Sequence, residues 1–151
     1  MSGTSCARHQ FARDYDGTSA TLRDARRDVV GWLLGCGFDR DLQDRAALVV
    51  SELATNAVQA SPGVAYAVNL RRVGDRSATL AVTSHTDFQR PPPRQHWGPA
   101  STLAARGRGL KIVEELADGV EVDLPSSDTV VVTATFRSSS SVRAGQLPIC
   151  P

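Results

Sequence analysis

Long apolar runs are missing from this 151-residue chain, and nothing approaches the ~20 residues that a membrane-spanning helix needs. The cysteines are few: Cys6, Cys36 and Cys150 are odd in number and show no C-x-x-C spacing. That argues against a disulfide framework or a zinc site and fits a reducing compartment. Net charge is nearly absent as well, at +1, and the arginines that supply almost all the positive charge are scattered. Direct binding to nucleic acid or to a membrane surface therefore has no electrostatic basis. The N-terminus has no basic-then-apolar leader, so a cytoplasmic protein is expected. There is no internal repeat. What is present is enough for one core: 41% hydrophobic residues in 16.1 kDa, the size of a single domain.

Periodicity divides the chain into elements. Residues 1–8 read as a flexible start, and 9–15 alternate weakly around Phe11, as a short edge strand does. Thr18 or Ser19 is a suitable N-cap for a helix whose stripe is Leu22, Ala25, Val29, Trp32 and Leu33, stopped by Gly35 and Gly37. Trp32 is a core residue or an anchor for a partner. A second helix runs from about Asp41 to just before Pro62-Gly63, with Leu42, Ala46, Val49, Val50, Leu53 and Ala57 on one stripe. Residues 64–73 and 77–84 alternate around Gly74-Asp75, the pattern of an antiparallel hairpin. Residues 86–106, with Pro91, Pro92, Pro93, Gly98 and Pro99, form a loop long enough to be a functional lid. A helix entered through glycines follows, with Leu110, Ile112 or Val113, and Leu116 facing inward. Strands at 120–124 and 129–136 close the chain around a Pro125–Asp128 turn, and 138–151 is a flexible serine-rich tail. His9, His85 and His96 read as surface residues, since none has a partner at metal-ligand spacing. The expected fold is a single α+β domain over 9–137: a two-layer sandwich with a mostly antiparallel sheet and helices on one face.

Two stretches carry chemistry. In Ser51-Glu52-Leu53-Ala54-Thr55-Asn56-Ala57-Val58, Glu52 and Asn56 are four residues apart and share one flank of the helical stripe. A carboxylate and a carboxamide there can hold one hard cation, or a cation beside a water, as Mg²⁺ sites with few protein ligands do. Alone, the pair is more simply read as two solvated polar residues. In Arg106-Gly107-Arg108-Gly109-Leu110, the glycines permit close backbone approach. Amides opening a helix attract phosphate, and the two arginines add cationic donors. Alone, that stretch is a plain glycine-rich helix entry. It lacks the full dinucleotide fingerprint and follows a loop rather than a strand.

Taken together and in order, V-S-E-L-A-T-N-A, a hairpin, a proline-rich loop, G-R-G-L-x-I-V-x-x-L-A-D and a closing T-V strand resemble one bacterial family. It is the RsbW-like anti-sigma-factor serine/threonine kinases, within the GHKL superfamily of ATP-binding domains. The resemblance runs from about His9 to Phe136. It implies a Bergerat-type fold binding ATP under a lid, Asn56 as Mg²⁺ ligand and Glu52 as general base. It also implies that Gly107, Arg108, Gly109 and Leu110, with Arg106 beside them, wrap the phosphates, and that Thr129 lines the adenine side. The implied partners are a sigma factor and an anti-anti-sigma (STAS-type) protein whose serine is phosphorylated; a homodimer is expected. The sequence departs from the family in one place that matters. Val82-Thr83-Ser84 has serine where the family carries the aspartate that reads the adenine amino group, with Asp87 three residues on. The closing G-K-T is also altered, to Ser127-Asp128-Thr129.

Three readings follow. One is an active serine kinase and anti-sigma switch. Another is a regulator of the same fold with weak or lost nucleotide binding that acts by sequestration, which Ser84 favours. The third, the ATPase module of a histidine kinase, is opposed by the lack of a phosphoacceptor H-E or H-D/N helix.

Overall fold

The computed structural model describes residues 9–85 and 110–139. The expected lid (86–106), Gly107 to Gly109, the first eight residues and the tail from 140 onward lie outside the described residues.

Strand β1 (Gln10–Tyr15) is followed by a 3₁₀ turn at Ser19–Thr21 and helix α1 (Leu22–Gly35). Helix α2 (Arg40–Ala60) leads into the hairpin β2 (Tyr66–Val73) and β3 (Ser77–His85). Residues 110–116 are helical and form the described part of α3. Strands β4 (Gly119–Ser126) and β5 (Thr129–Arg137) complete the order. The sheet runs β1-β2-β3-β5-β4, and every described pairing is antiparallel. The chain leaves β3, crosses to the far edge as β4, and returns by a hairpin to put β5 beside β3.

The helices cover one face. Leu42, Ala46, Val49, Val50, Leu53 and Ala57, the whole expected stripe of α2, are buried. They meet Val68 and Leu70 of β2, Leu80 and Val82 of β3, and Val132, Ala134 and Phe136 of β5 in one core. Alternation within β3 and β5 sets those side chains inward at every second residue, as pleating requires. From α3, Leu110 and Val113 are buried, whereas Ile112 and Leu116 are only partly covered.

Element ends depart from expectation where a specific contact sets them. The first helix opens with the 3₁₀ turn rather than a serine or threonine cap, and Thr18 caps nothing with its side chain. The Thr21 hydroxyl instead binds the Asp16 and Thr18 carbonyls and shares a 2.8 Å hydrogen bond with the Tyr66 hydroxyl. Gly37 makes the stop, with φ of 85°, while Gly35 is still helical. Helix α2 starts at Arg40 because Asp39 caps it, its carboxylate accepting the Leu42 N–H at 2.9 Å. Strand β2 starts at Tyr66 rather than Val64, because Gly63 donates its N–H to the Gly17 carbonyl at 2.8 Å and holds the chain there. Pro125 belongs to β4 rather than to the turn. It sits in an irregularity between Asp123 and Ser126 on an edge strand, where a missing N–H breaks no ladder.

Candidate functional site

Asp39 starts α2 and the apolar stripe turns it toward the sheet, which fixes the direction of every other side chain on the helix. Glu52 and Asn56 emerge on one flank, both half-buried. Among the described residues, neither side chain has a hydrogen bond or ion pair. Their neighbours on the other flank are engaged: Ser51 accepts from Arg26 at 3.0 Å and donates to the Ala47 carbonyl, and Thr55 donates to the Ser51 carbonyl. Helix α2 therefore has one flank sewn to α1 and one that leaves a carboxylate and a carboxamide open.

Nearer the start of α2, the same flank reaches the end of α3 through Arg45. Arg45 lies seven residues before Glu52 and eleven before Asn56, within about 20° of both around the helix. Its guanidinium donates to the Leu116 carbonyl at the end of α3 (3.1 Å) and to the Arg137 carbonyl at the end of β5 (3.0 Å). It also pairs with Asp41 at 2.9 Å and Asp118 at 3.5 Å, and lies 5.7 Å from the centre of the Phe136 ring. Asp118 in turn accepts the Arg137 N–H at 2.6 Å. Spacing could have pointed to Arg45 as a member of the Glu52 flank. Its partners, however, lie 71 and 92 residues away, and no local signal announces them.

At the other end of α2, Ser61 donates its hydroxyl to the His85 carbonyl and binds the helix end to the end of β3. Asn56 and Ser84 thus lie at the same end of the two layers. Ser84 shares the helix-facing row with Ala78, Leu80 and Val82, is half-buried, and pairs with Val130. Thr129 pairs with His85 one step further along, on the opposite face of the sheet from Ser84. Its hydroxyl is engaged by Asp128 at 3.2 Å and His85 Nδ1 at 3.3 Å. The Ser126 hydroxyl donates to the same Asp128 carboxylate at 2.7 Å, and these two hydrogen bonds hold Asp128 below the usual carboxylate range. The fold therefore sets Ser84 on the helix-facing side of the sheet, at the end of α2 nearer Asn56, and Thr129 on the other face. Leu110 is buried in the core; Arg106, Gly107, Arg108 and Gly109 lie outside the described residues.

Among the described residues no cluster of three or more His, Cys, Asp or Glu side chains is gathered to cage a metal. The Glu52–Asn56 pair suits a different arrangement: hard oxygen donors for a cation that completes its shell with phosphates and water. No described helix is long and apolar enough to cross a membrane.

Comparison with known proteins places this geometry in a family. The histidine kinase-like ATPase domain family matches residues 16–136, and the chain belongs to it. With its antiparallel sheet covered on one face by helices, it has the two-layer GHKL-type architecture. Among solved structures it is similar to the RsbU and RsbW domains of a Mycobacterium tuberculosis protein, at 20% identity and a TM-score of 0.66. That match covers 89% of this chain and 34% of the mycobacterial one, so the chain spans about a third of that relative's length. It is also similar to a structure of the SiaB–SiaC complex from Pseudomonas aeruginosa, at 12% identity and a TM-score of 0.61, covering 82% of this chain and 88% of that one. No curated protein matches the sequence.

Proposed function

We propose that the chain is an ATP-dependent protein serine kinase and anti-sigma switch. The observation that carries this reading is the half-buried Glu52–Asn56 pair on one flank of α2, without a hydrogen-bond or ion-pair partner among the described residues. Asn56 would hold Mg²⁺, which would neutralise phosphate charge. Glu52 accepts the proton of a partner's serine hydroxyl while that oxygen attacks the terminal phosphorus of ATP and ADP leaves. Arg106, Gly107, Arg108, Gly109 and Leu110 wrap the phosphates, and Ser84 meets the adenine. The adenine role of Thr129 needs it to turn from its present partners. The phosphorylated partner is an anti-anti-sigma protein of STAS type, and the unphosphorylated partner competes with a sigma factor for this protein. One structural neighbour was itself solved as a complex with a second protein, which supports a partner-dependent role. The protein acts in the cytoplasm as a homodimer.

Mass-spectrometric phosphotransfer to a purified STAS-type partner tests the reading. Glu52→Gln is expected to keep Mg-ATP binding and to lower transfer by roughly 10²–10⁴-fold. Unchanged transfer would remove Glu52 from the mechanism. The second reading, a non-catalytic regulator that sequesters its partner, is favoured by Ser84, a neutral acceptor where a charged one is expected. It predicts partner binding without transfer in the wild type.

A further inference from the structure

We infer that Arg45 is a positioning residue of this site: it sets where α3 stands against the flank of α2 that carries Glu52 and Asn56. The inference rests on the proposed nucleotide reading and adds to it a residue that touches neither nucleotide nor partner.

The described part of α3 buries Leu110 and Val113 in the core and packs Leu116 against it with partial cover. Its C-terminal end is secured by polar contacts. The Asp118 N–H donates to the Thr135 carbonyl at 2.8 Å, and the Arg45 guanidinium reaches the Leu116 carbonyl at 3.1 Å. A cation at a helix C-terminus also meets the negative end of the helix dipole. The same guanidinium reaches the Arg137 carbonyl at 3.0 Å, so one side chain from the Glu52 flank ties together the ends of α3 and β5. Both carboxylates that balance it, Asp41 and Asp118, are themselves largely exposed, whereas the Arg45 side chain is 21% exposed. Its planar fork serves two carbonyls at once with fixed geometry, which a lysine ammonium at the end of a flexible stem does less well. Any shift of α3 along α2 breaks these contacts together. The C-terminal end of α3 is thus registered to the helix that bears Glu52 and Asn56.

The test uses the full chain with Arg45→Met and Arg45→Lys. Amide hydrogen exchange on the free protein reads the hold on α3 without any nucleotide. Arg45→Met is expected to speed exchange over 110–118 by about tenfold or more while the centre of α2 stays protected, and Arg45→Lys is expected to restore part of the protection. Calorimetry with Mg-ATP reads the consequence: a dissociation constant raised about 5- to 10-fold in Arg45→Met and less in Arg45→Lys. Exchange over 110–118 unchanged from wild type overturns the proposal, as does wild-type Mg-ATP affinity in Arg45→Met. An affinity loss that follows a general loss of protection, with no local signal at 110–118, also overturns it by reducing Arg45 to a stabilising contact. Failure of the proposed function looks different. The wild type itself then shows no heat with Mg-ATP, and the positioning role for nucleotide falls with it.

Discussion

Replacing Asp39 by alanine removes two bonds at once, and both can be weighed. One carboxylate oxygen accepts the Leu42 N–H at 2.9 Å and caps α2; the other accepts the Ser138 hydroxyl at 2.7 Å, across 99 residues of sequence. Loss of an N-cap costs about 1 kcal/mol. Ser138 is 2% exposed, so its hydroxyl loses its partner in a place water does not reach, at a cost of about 1–2 kcal/mol. The expected total is about 2–3 kcal/mol, a fall in melting temperature of roughly 6–12 °C for a domain of this size. Asp39→Asn keeps a side-chain oxygen for Leu42 but gives up one of two acceptors and the charge, so about half the loss is expected. The pH dependence gives an independent check. Burial alone would raise the Asp39 pKa, but the hydrogen bonds from Ser138 and the Leu42 N–H prevail and hold it below the ordinary carboxylate value. A lowered folded pKa stabilises above the unfolded value of about 3.9, and that contribution is lost as pH falls through the folded pKa. The gap between wild type and Asp39→Asn should therefore begin to narrow as pH falls below about 4 and close only below the lowered folded pKa in urea titrations. A wild-type-like Asp39→Ala, within about 0.5 kcal/mol, would refute the reasoning, because surface changes without a structural role fall in that range. A gap to Asp39→Asn that persists in acid would refute the electrostatic half.

Ser84→Asp should strengthen ATP binding roughly 5- to 10-fold, since a charged acceptor is worth about 1 kcal/mol more than a hydroxyl, and should leave GTP unchanged or weaker; tight wild-type binding indifferent to the change in calorimetry would mean that Ser84 does not meet the base. Gly17→Ala should cost about 1–3 kcal/mol in thermal unfolding, because a Cβ at Gly17 would lie 2.6 Å from the Val64 nitrogen. Gly31→Ala, with open space around it in α1, should instead stabilise by about 0.5–1 kcal/mol, so equal effects would show the packing argument wrong. Burial, then the 2.7 Å hydrogen bond to Asp28, pushes the Tyr15 hydroxyl above its ordinary pKa. That contribution is present below about pH 10 and is lost as pH rises through the folded pKa, so the advantage of wild type over Tyr15→Phe should shrink in alkali; a gap constant to high pH would oppose it.

The chain's local signals determined a good deal. The 3.6-residue spacing of Leu42, Ala46, Val49, Val50, Leu53 and Ala57 specified both that α2 is a helix and which side it buries, and the shared flank of Glu52 and Asn56 follows from that alone. Gly74, with φ of 73°, and the alternation around it specified the β2–β3 hairpin. These are readable because the interactions involved lie within one or two turns, or across one tight turn, of each other. Tertiary structure decided the rest. The alternation of β5, with Val130, Val132, Ala134 and Phe136 inward, already turns Thr129 outward, but its partner His85 is decided only by β5 returning beside β3 rather than beside β2. The fork of Arg45 between Leu116 and Arg137, and the Asp39–Ser138 bond, likewise join positions 71 to 99 residues apart. Periodicity records which face a side chain occupies. Which chain segment comes to meet that face is fixed only when the strand order is, since a hydrogen bond depends on a few tenths of an ångström between groups that no local pattern relates.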